Sequence, residues 1–171
     1  MKQGYVHVYT GNGKGKTTTM LGLTLRATGA GFRVYIGQFL KSGEYSEVKA
    51  LKQLSGVRIE QYGEVGFIID EPTEKDIAIA KAGFCKATAA VYSGQYDVIM
   101  LDEINVATDL GLIAVQEVVD LIKEKPQNVE LVLTGRNATP EIIAAADLVS
   151  EIREIKHYYH AGVMARKGIE E

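Results

Sequence analysis

The chain has no tryptophan, one cysteine and three prolines in 171 residues. A lone cysteine, Cys85, excludes an intramolecular disulfide framework and is compatible with a reducing compartment. Its neighbours Ala82, Phe84 and Ala87 suggest a small buried residue rather than a nucleophile. Aromatic residues are only 8% of the chain, which offers no base-stacking platform for single strands. A net charge of −3 argues against a broad nucleic-acid footprint. No apolar run approaches the ~20 residues that cross a bilayer. Met1-Lys2-Gln3 does not open a signal peptide, because strand-forming residues follow at once. By elimination, a cytoplasmic protein bound to neither membrane nor nucleic acid is expected.

What remains is of globular type, with 46% hydrophobic and 24% charged residues. The length suits one domain, taken as residues 1–171. The chain is organised around Thr10-Gly11-Asn12-Gly13-Lys14-Gly15-Lys16-Thr17. An apolar run, Tyr5 to Tyr9, precedes this stretch, and a helical pattern from Met20 to Leu25 follows it. Strand, glycine-rich turn, Lys-Thr and helix is the arrangement that cradles polyphosphate. Glycines let backbone N–H groups close around the anion, and the helix start adds its positive dipole end. Lys16 is then placed to reach the outer phosphates and Thr17 to ligate Mg²⁺. The common spacing would put a glycine where Thr10 stands.

Downstream, the spacing predicts a helix from Lys16 to about Ala30 and strands at 33–39 and 57–62. A short helix is expected over 46–54, and 63–71 reads as an extra strand or an apolar loop. Thr73 should cap a long helix reaching about Ser93. A strand at 96–101 ends in Asp102-Glu103. A helix at 112–123, a strand at 129–133, a short Pro-led helix from Thr139 and a strand at 147–155 follow. Strands alternating with helices imply one three-layer α/β/α domain with a mostly parallel sheet of about six strands. With the loop, this is a P-loop nucleotide-binding fold of the RecA-like kind.

In such a sheet ligands bind at the carboxyl ends of the strands. The loop, Asp102-Glu103 and Thr134-Gly135-Arg136 each follow a strand and should share one edge. Asp102 suits a carboxylate that holds Mg²⁺ directly or through water, and Glu103 could ligate the metal or orient a water. Arg136 can offer its planar fork to phosphate. His157 and His160 lack a helix to align them and a carboxylate nearby, so no metal site is expected there. His7 alternates within a strand and reads as a satisfied core or interface residue.

These residues resemble a known family. Val8 to Thr18 is similar to the phosphate loop of the ATP:corrinoid adenosyltransferases, the cob(I)alamin adenosyltransferases of the P-loop type, in which Thr precedes a single leading glycine. Gln38-Phe39-Leu40-Lys41, Leu101 to Asn105 and Thr134 to Ala138 match further family blocks. So do 145–151, Lys156-His157, Ala161-Gly162-Val163 and Lys167 to Glu170. The resemblance implies that Co(I) of a corrinoid attacks C5′ of ATP and displaces tripolyphosphate. It implies catalytic roles for Lys16, Glu103 and Arg136, and a metal held by Thr17 and Glu103 with Asp102 near or behind them. Gly11, Asn12, Gly13, Lys14, Gly15, Lys16, Thr17, Thr18, Lys41 and Arg136 would bind ATP, and Phe67 the corrinoid. A homodimer and a flavoprotein-type reductant are implied as well. The family often carries an N-terminal extension that covers the site; here the first strand is expected from about Tyr5, which leaves lid closure open. The family can also place Trp two residues after the Phe, where this chain has Ile69.

Overall fold

Val6 and Val8 are buried in the first strand, while His7 and Tyr9 between them are half-buried. Strand β1 (Val6–Thr10) therefore offers its two rows of side chains to two layers. The same alternation governs β2 (Val34–Phe39) and β4 (Val98–Asp102), which are buried along their whole length. Val34, Ile36, Val98 and Met100 face one layer; Tyr35, Phe39, Ile99 and Leu101 face the other. Burial on both faces is why these strands read as continuous apolar runs.

The computed structural model describes residues 2–64 and 71–170. Within them six strands form one sheet in the order β3-β2-β4-β5-β1-β6, with every pairing parallel. The remaining strands are β3 (Val57–Tyr62), β5 (Glu130–Thr134) and β6 (Leu148–Glu151). Helices α1 (Lys16–Gly29) and α2 (Ser46–Leu51) cover one face through Met20, Ala27 and Leu51. Helices α3 (Glu74–Tyr92), α4 (Ile104–Asp109), α5 (Val115–Glu124) and α6 (Pro140–Ala145) cover the other. Their contribution includes Phe84, Ala87, Val91, Ile104, Val118, Ile122 and Ile142, the larger of them stabilising by about 1.5–3 kcal/mol each. The expected three layers and parallel sheet are found. A single-turn 3₁₀ helix, Tyr158–Ala161, lies beyond β6.

Thr73 caps α3 as its position suggests, accepting from the Asp76 N–H while Asp76 accepts from the Thr73 N–H at 2.9 Å. Other expectations shift. Helix α5 starts at Val115, because Leu112 and Ile113 are fully buried in the turn before it. Strand β6 stops at Glu151, since beyond Ile152 the chain leaves the sheet and crosses the loop after β1. Helix α4 was not anticipated: it follows Glu103 directly and buries Ile104 and Ala107 one turn apart. Cys85 is exposed, contrary to expectation. The buried stripe of α3 runs through Ala80, Gly83, Phe84, Ala87 and Val91, and Cys85 falls outside it. Helix phase overrides the apolar neighbours. The segment that reads as a strand or apolar loop, with Phe67 and Ile69, falls mostly in 65–70, outside the described residues.

Helix α3 passes close to β3 at one glycine. A Cβ on Gly83 would lie 2.3 Å from Tyr62 Cγ. Gly83→Ala should gain roughly 1 kcal/mol of helix propensity and lose about 1–3 kcal/mol to overpacking. The expected outcome is a net loss of stability, up to about 2 kcal/mol, in urea unfolding. A gain would mean that the Tyr62 ring moves aside freely.

Candidate functional site

The carboxyl ends of β1, β2, β4 and β5 converge, and each contributes polar groups. Gly15 takes φ +126° at the start of α1, with open space where a Cβ would be. Its glycine is demanded by conformation alone. Gly11, at φ +96°, and Gly13 have a second reason. A Cβ on Gly11 would meet the Ile152 carbonyl oxygen at 2.5 Å, and one on Gly13 the Arg153 carbonyl carbon at 2.7 Å. The Gly13 N–H donates to the Ile152 carbonyl at 2.8 Å. The glycines thus admit the crossing chain.

Lys16 is buried, and its ammonium donates to the Gly13 carbonyl across the turn at 2.8 Å. Burial holds its pKa below the ordinary lysine value.

Asp102 lies beneath, fully buried at the end of β4. Its Oδ1 accepts from the Thr17 hydroxyl at 3.0 Å and the Thr134 hydroxyl at 2.6 Å. Its Oδ2 accepts from Gln38 Nε2 at 3.1 Å and Lys41 Nζ at 2.7 Å. Burial pushes this carboxyl up, but Lys41 and the hydroxyl donors outweigh it and hold it below the usual carboxylate range. The ammonium of Lys41 loses by burial and gains more from Asp102, ending raised. Lys41 Nζ also stands 3.4 Å from Thr17 Oγ1, so it occupies the ground between hydroxyl and carboxylate.

Glu103 follows in the left-handed region, φ +61°, a conformation that few non-glycine residues adopt. Its N–H donates to Thr134 Oγ1 at 3.1 Å. Burial, then the charge of Asp102, pushes its carboxyl up. A cavity of about 350 Å³ opens above, lined by Asn12 to Thr18, Glu103 and Arg136, with Glu154, His157, Ile169 and Glu170 from the later segment. Lys41 and Asp102 lie outside that lining, and Gly11 lines a neighbouring hollow.

The sequence-derived set is therefore brought together, except Phe67, which lies outside the described residues. Gln38 and Thr134 were missed as Asp102 donors; a polar residue ending a buried apolar strand is the signal that would have found them. His160 contradicts the expectation of no nearby carboxylate, with Nε2 2.7 Å from Glu154. No group of three or more metal-ligating side chains occurs among the described residues. His7 is satisfied as expected, between Tyr9 and Glu130.

Fold and site together define a parallel three-layer α/β domain whose polar centre lies where four strands end beside a glycine-rich loop. A family model described as ATP:corrinoid adenosyltransferase BtuR/CobO/CobP matches residues 2–170, and the chain belongs to that family, a family of transferases. It is 34% identical to a corrinoid adenosyltransferase of Escherichia coli K12, covering 99% of this chain and 86% of that one. To the corrinoid adenosyltransferase CobA of Salmonella typhimurium it is 32% identical, over 99% and 86%. An uncharacterized protein of Nostoc sp. is 40% identical over 90% of this chain, which spans 45% of that relative's length. Among solved structures, the cytoplasmic domain of EssC superposes with a TM-score of 0.56 at 17% identity, over 96% of this chain and 34% of that one; this likeness concerns the fold alone.

The Asp102–Lys41 pair sets a pH dependence. A depressed carboxyl contributes stability above its unfolded pKa, and that stability is lost as pH falls through the folded value. Lys41→Met leaves burial dominant, so Asp102 should titrate above the usual range and lose stability as pH rises instead. The variant should be about 3 kcal/mol less stable at pH 7, with the difference narrowing towards pH 4 in urea titrations. A pH-independent difference would show that Lys41 does not set the charge state of Asp102.

Proposed function

We propose that this protein transfers the 5′-deoxyadenosyl group of ATP to Co(I) of a corrinoid and releases tripolyphosphate. The observation that carries the reading is the convergence of Gly11–Thr17, Asp102-Glu103 and Arg136 at one sheet end, in a chain of this family. Co(I) supplies the electron pair of the new bond to C5′ and becomes Co(III), while the C5′–O pair leaves with the triphosphate. So strong a nucleophile needs no general base. The protein's work is to align C5′ and to neutralise the departing charge.

The chain has the groups for this. Residues Asn12 to Thr18, the loop and the first residues of α1, line the cavity, and a helix start favours an anion through its backbone N–H groups. Lys16 exchanges the Gly13 carbonyl for a phosphate oxygen, and Lys14 and Arg136 flank it. Thr17 and Glu103 are hard oxygen donors of the kind Mg²⁺ takes, with Asp102 behind them, both its oxygens already engaged. Bound there, Mg²⁺ would offset charge on the leaving triphosphate. Burial and the charge of Asp102 push the Glu103 carboxyl up, and a cation held beside it would act in the opposite direction.

The rest of the reading comes from the family resemblance: one P-loop domain of RecA-like type spanning 1–171, a homodimer in the cytoplasm, a flavoprotein reductant, and Phe67 against the corrinoid. With ATP, Mg²⁺ and chemically reduced cobalamin, the expected products are tripolyphosphate and a light-sensitive Co–C species. ADP and phosphate would instead mark an ATPase or kinase in which Glu103 activates the nucleophile, and no product a nucleotide-binding module. Lys16→Ala should cost at least about 2 kcal/mol of transition-state stabilisation, roughly thirty-fold in rate. Activity kept within a few-fold would mean that the loop does not hold the reacting phosphates.

A further inference from the structure

The phosphate loop carries a second lysine, and its partners come from the far end of the chain. Lys14 Nζ donates to Tyr158 Oη at 2.9 Å, to the Ile169 carbonyl at 3.2 Å and to Glu170 Oε1 at 2.8 Å. Glu170 also accepts from Arg166, through its N–H at 2.8 Å, Nε at 3.2 Å and Nη2 at 3.1 Å, and from the Tyr158 hydroxyl. Lys14 and Arg166 both lie over the Tyr158 ring, 5.6 and 5.0 Å from its centroid. The Glu170 side chain is 15% exposed. One carboxylate thus collects an ammonium, a guanidinium, a backbone N–H and a phenol. That donor set suits an outer phosphate equally well. Lys14 and Glu170 line the same cavity as Lys16, Thr17 and Arg136, with Arg166 and Tyr158 held against them from outside that lining.

We propose that Glu170 is a built-in stand-in for phosphate: it holds Lys14 and Arg166 while the loop is empty, and an incoming triphosphate displaces it and unlatches residues 166–170. The proposal rests on the reading of the loop as a triphosphate site. Two anions cannot both keep Lys14 without mutual repulsion, so ligand and carboxylate compete. Displacement frees Arg166 and Tyr158 for the outermost phosphate. When the carboxylate returns to Lys14 it helps to expel the tripolyphosphate. Exposed ion pairs are weak, which keeps the latch reversible and confines its effect to a few-fold in affinity.

The test uses inorganic tripolyphosphate as the probe on the full chain. Glu170→Gln should bind it about three- to five-fold more tightly than the parent at low salt, with the gap closing at high salt. In the parent, tripolyphosphate should speed tryptic cleavage after Arg166 and Lys167, followed by mass spectrometry. Equal affinities, or cleavage slowed by the ligand, would overturn the proposal, the latter by making the segment a cover that closes on ligand. If the parent does not bind tripolyphosphate at all, the triphosphate reading itself fails and takes the proposal with it. If the parent binds it and Lys16→Ala weakens that binding while Glu170→Gln changes nothing, only the latch is wrong.

Discussion

A carboxylate with no exposed surface must be matched by donors or it will not stay ionised. Asp102 meets that demand with four donors from three other segments: Gln38 and Lys41 at the end of β2, Thr17 at the start of α1, and Thr134 at the end of β5. Bringing them to one point requires β2 and β5 on either side of β4, which is the observed strand order. It also requires α1 to start above β4, although β1 is a strand away. The buried charge therefore links the glycine-rich loop, Lys41 and the sheet topology in one network. Loss of any partner leaves part of a buried charge without its donor.

The loop after β1 is held from the other side by the segment beyond β6. Ile152 and Arg153 cross it so closely that neither Gly11 nor Gly13 can carry a side chain without a clash. Further on, Glu170 and Tyr158 engage Lys14. The late segment thus supplies a wall of the cavity, and its Glu170 carboxylate lands on a cation of the loop. A glycine-rich loop at a helix start concentrates positive potential, and its Lys14 holds the Glu170 carboxylate. Lys16 finds a similar provisional partner in the Gly13 carbonyl.

Much of this architecture is local in origin. The alternation in β1 and the apolar runs of β2 and β4 mark strands because pleat and burial act residue by residue. Thr73 with Asp76 and Pro140 after Thr139 mark helix starts through caps that span only a few residues. Elsewhere longer-range geometry overrides these local signals. Cys85 sits among apolar neighbours but outside the buried stripe of α3. The six residues after Glu103 coil into α4 because Glu103 enters the left-handed region and turns the chain. His160 gains Glu154, six residues earlier, through a bend that no periodicity announces.

The sequence by itself determined the strand–loop–helix start, the acidic pair after an apolar strand, the parallel α/β class and the family blocks that run from the loop to Glu170. Each is written in turn chemistry, period or motif spacing, and so survives without coordinates. Only the tertiary structure decided what the charged groups do to one another. Thr17 meets Asp102 across 85 residues, Lys41 across 61, and Lys14 meets Glu170 across 156. Those separations are closed by strand order and by the path of the chain past β6, which depend on how all the layers pack at once. The pairing of charges in the site is a property of that packing, and no local stretch of residues contains it.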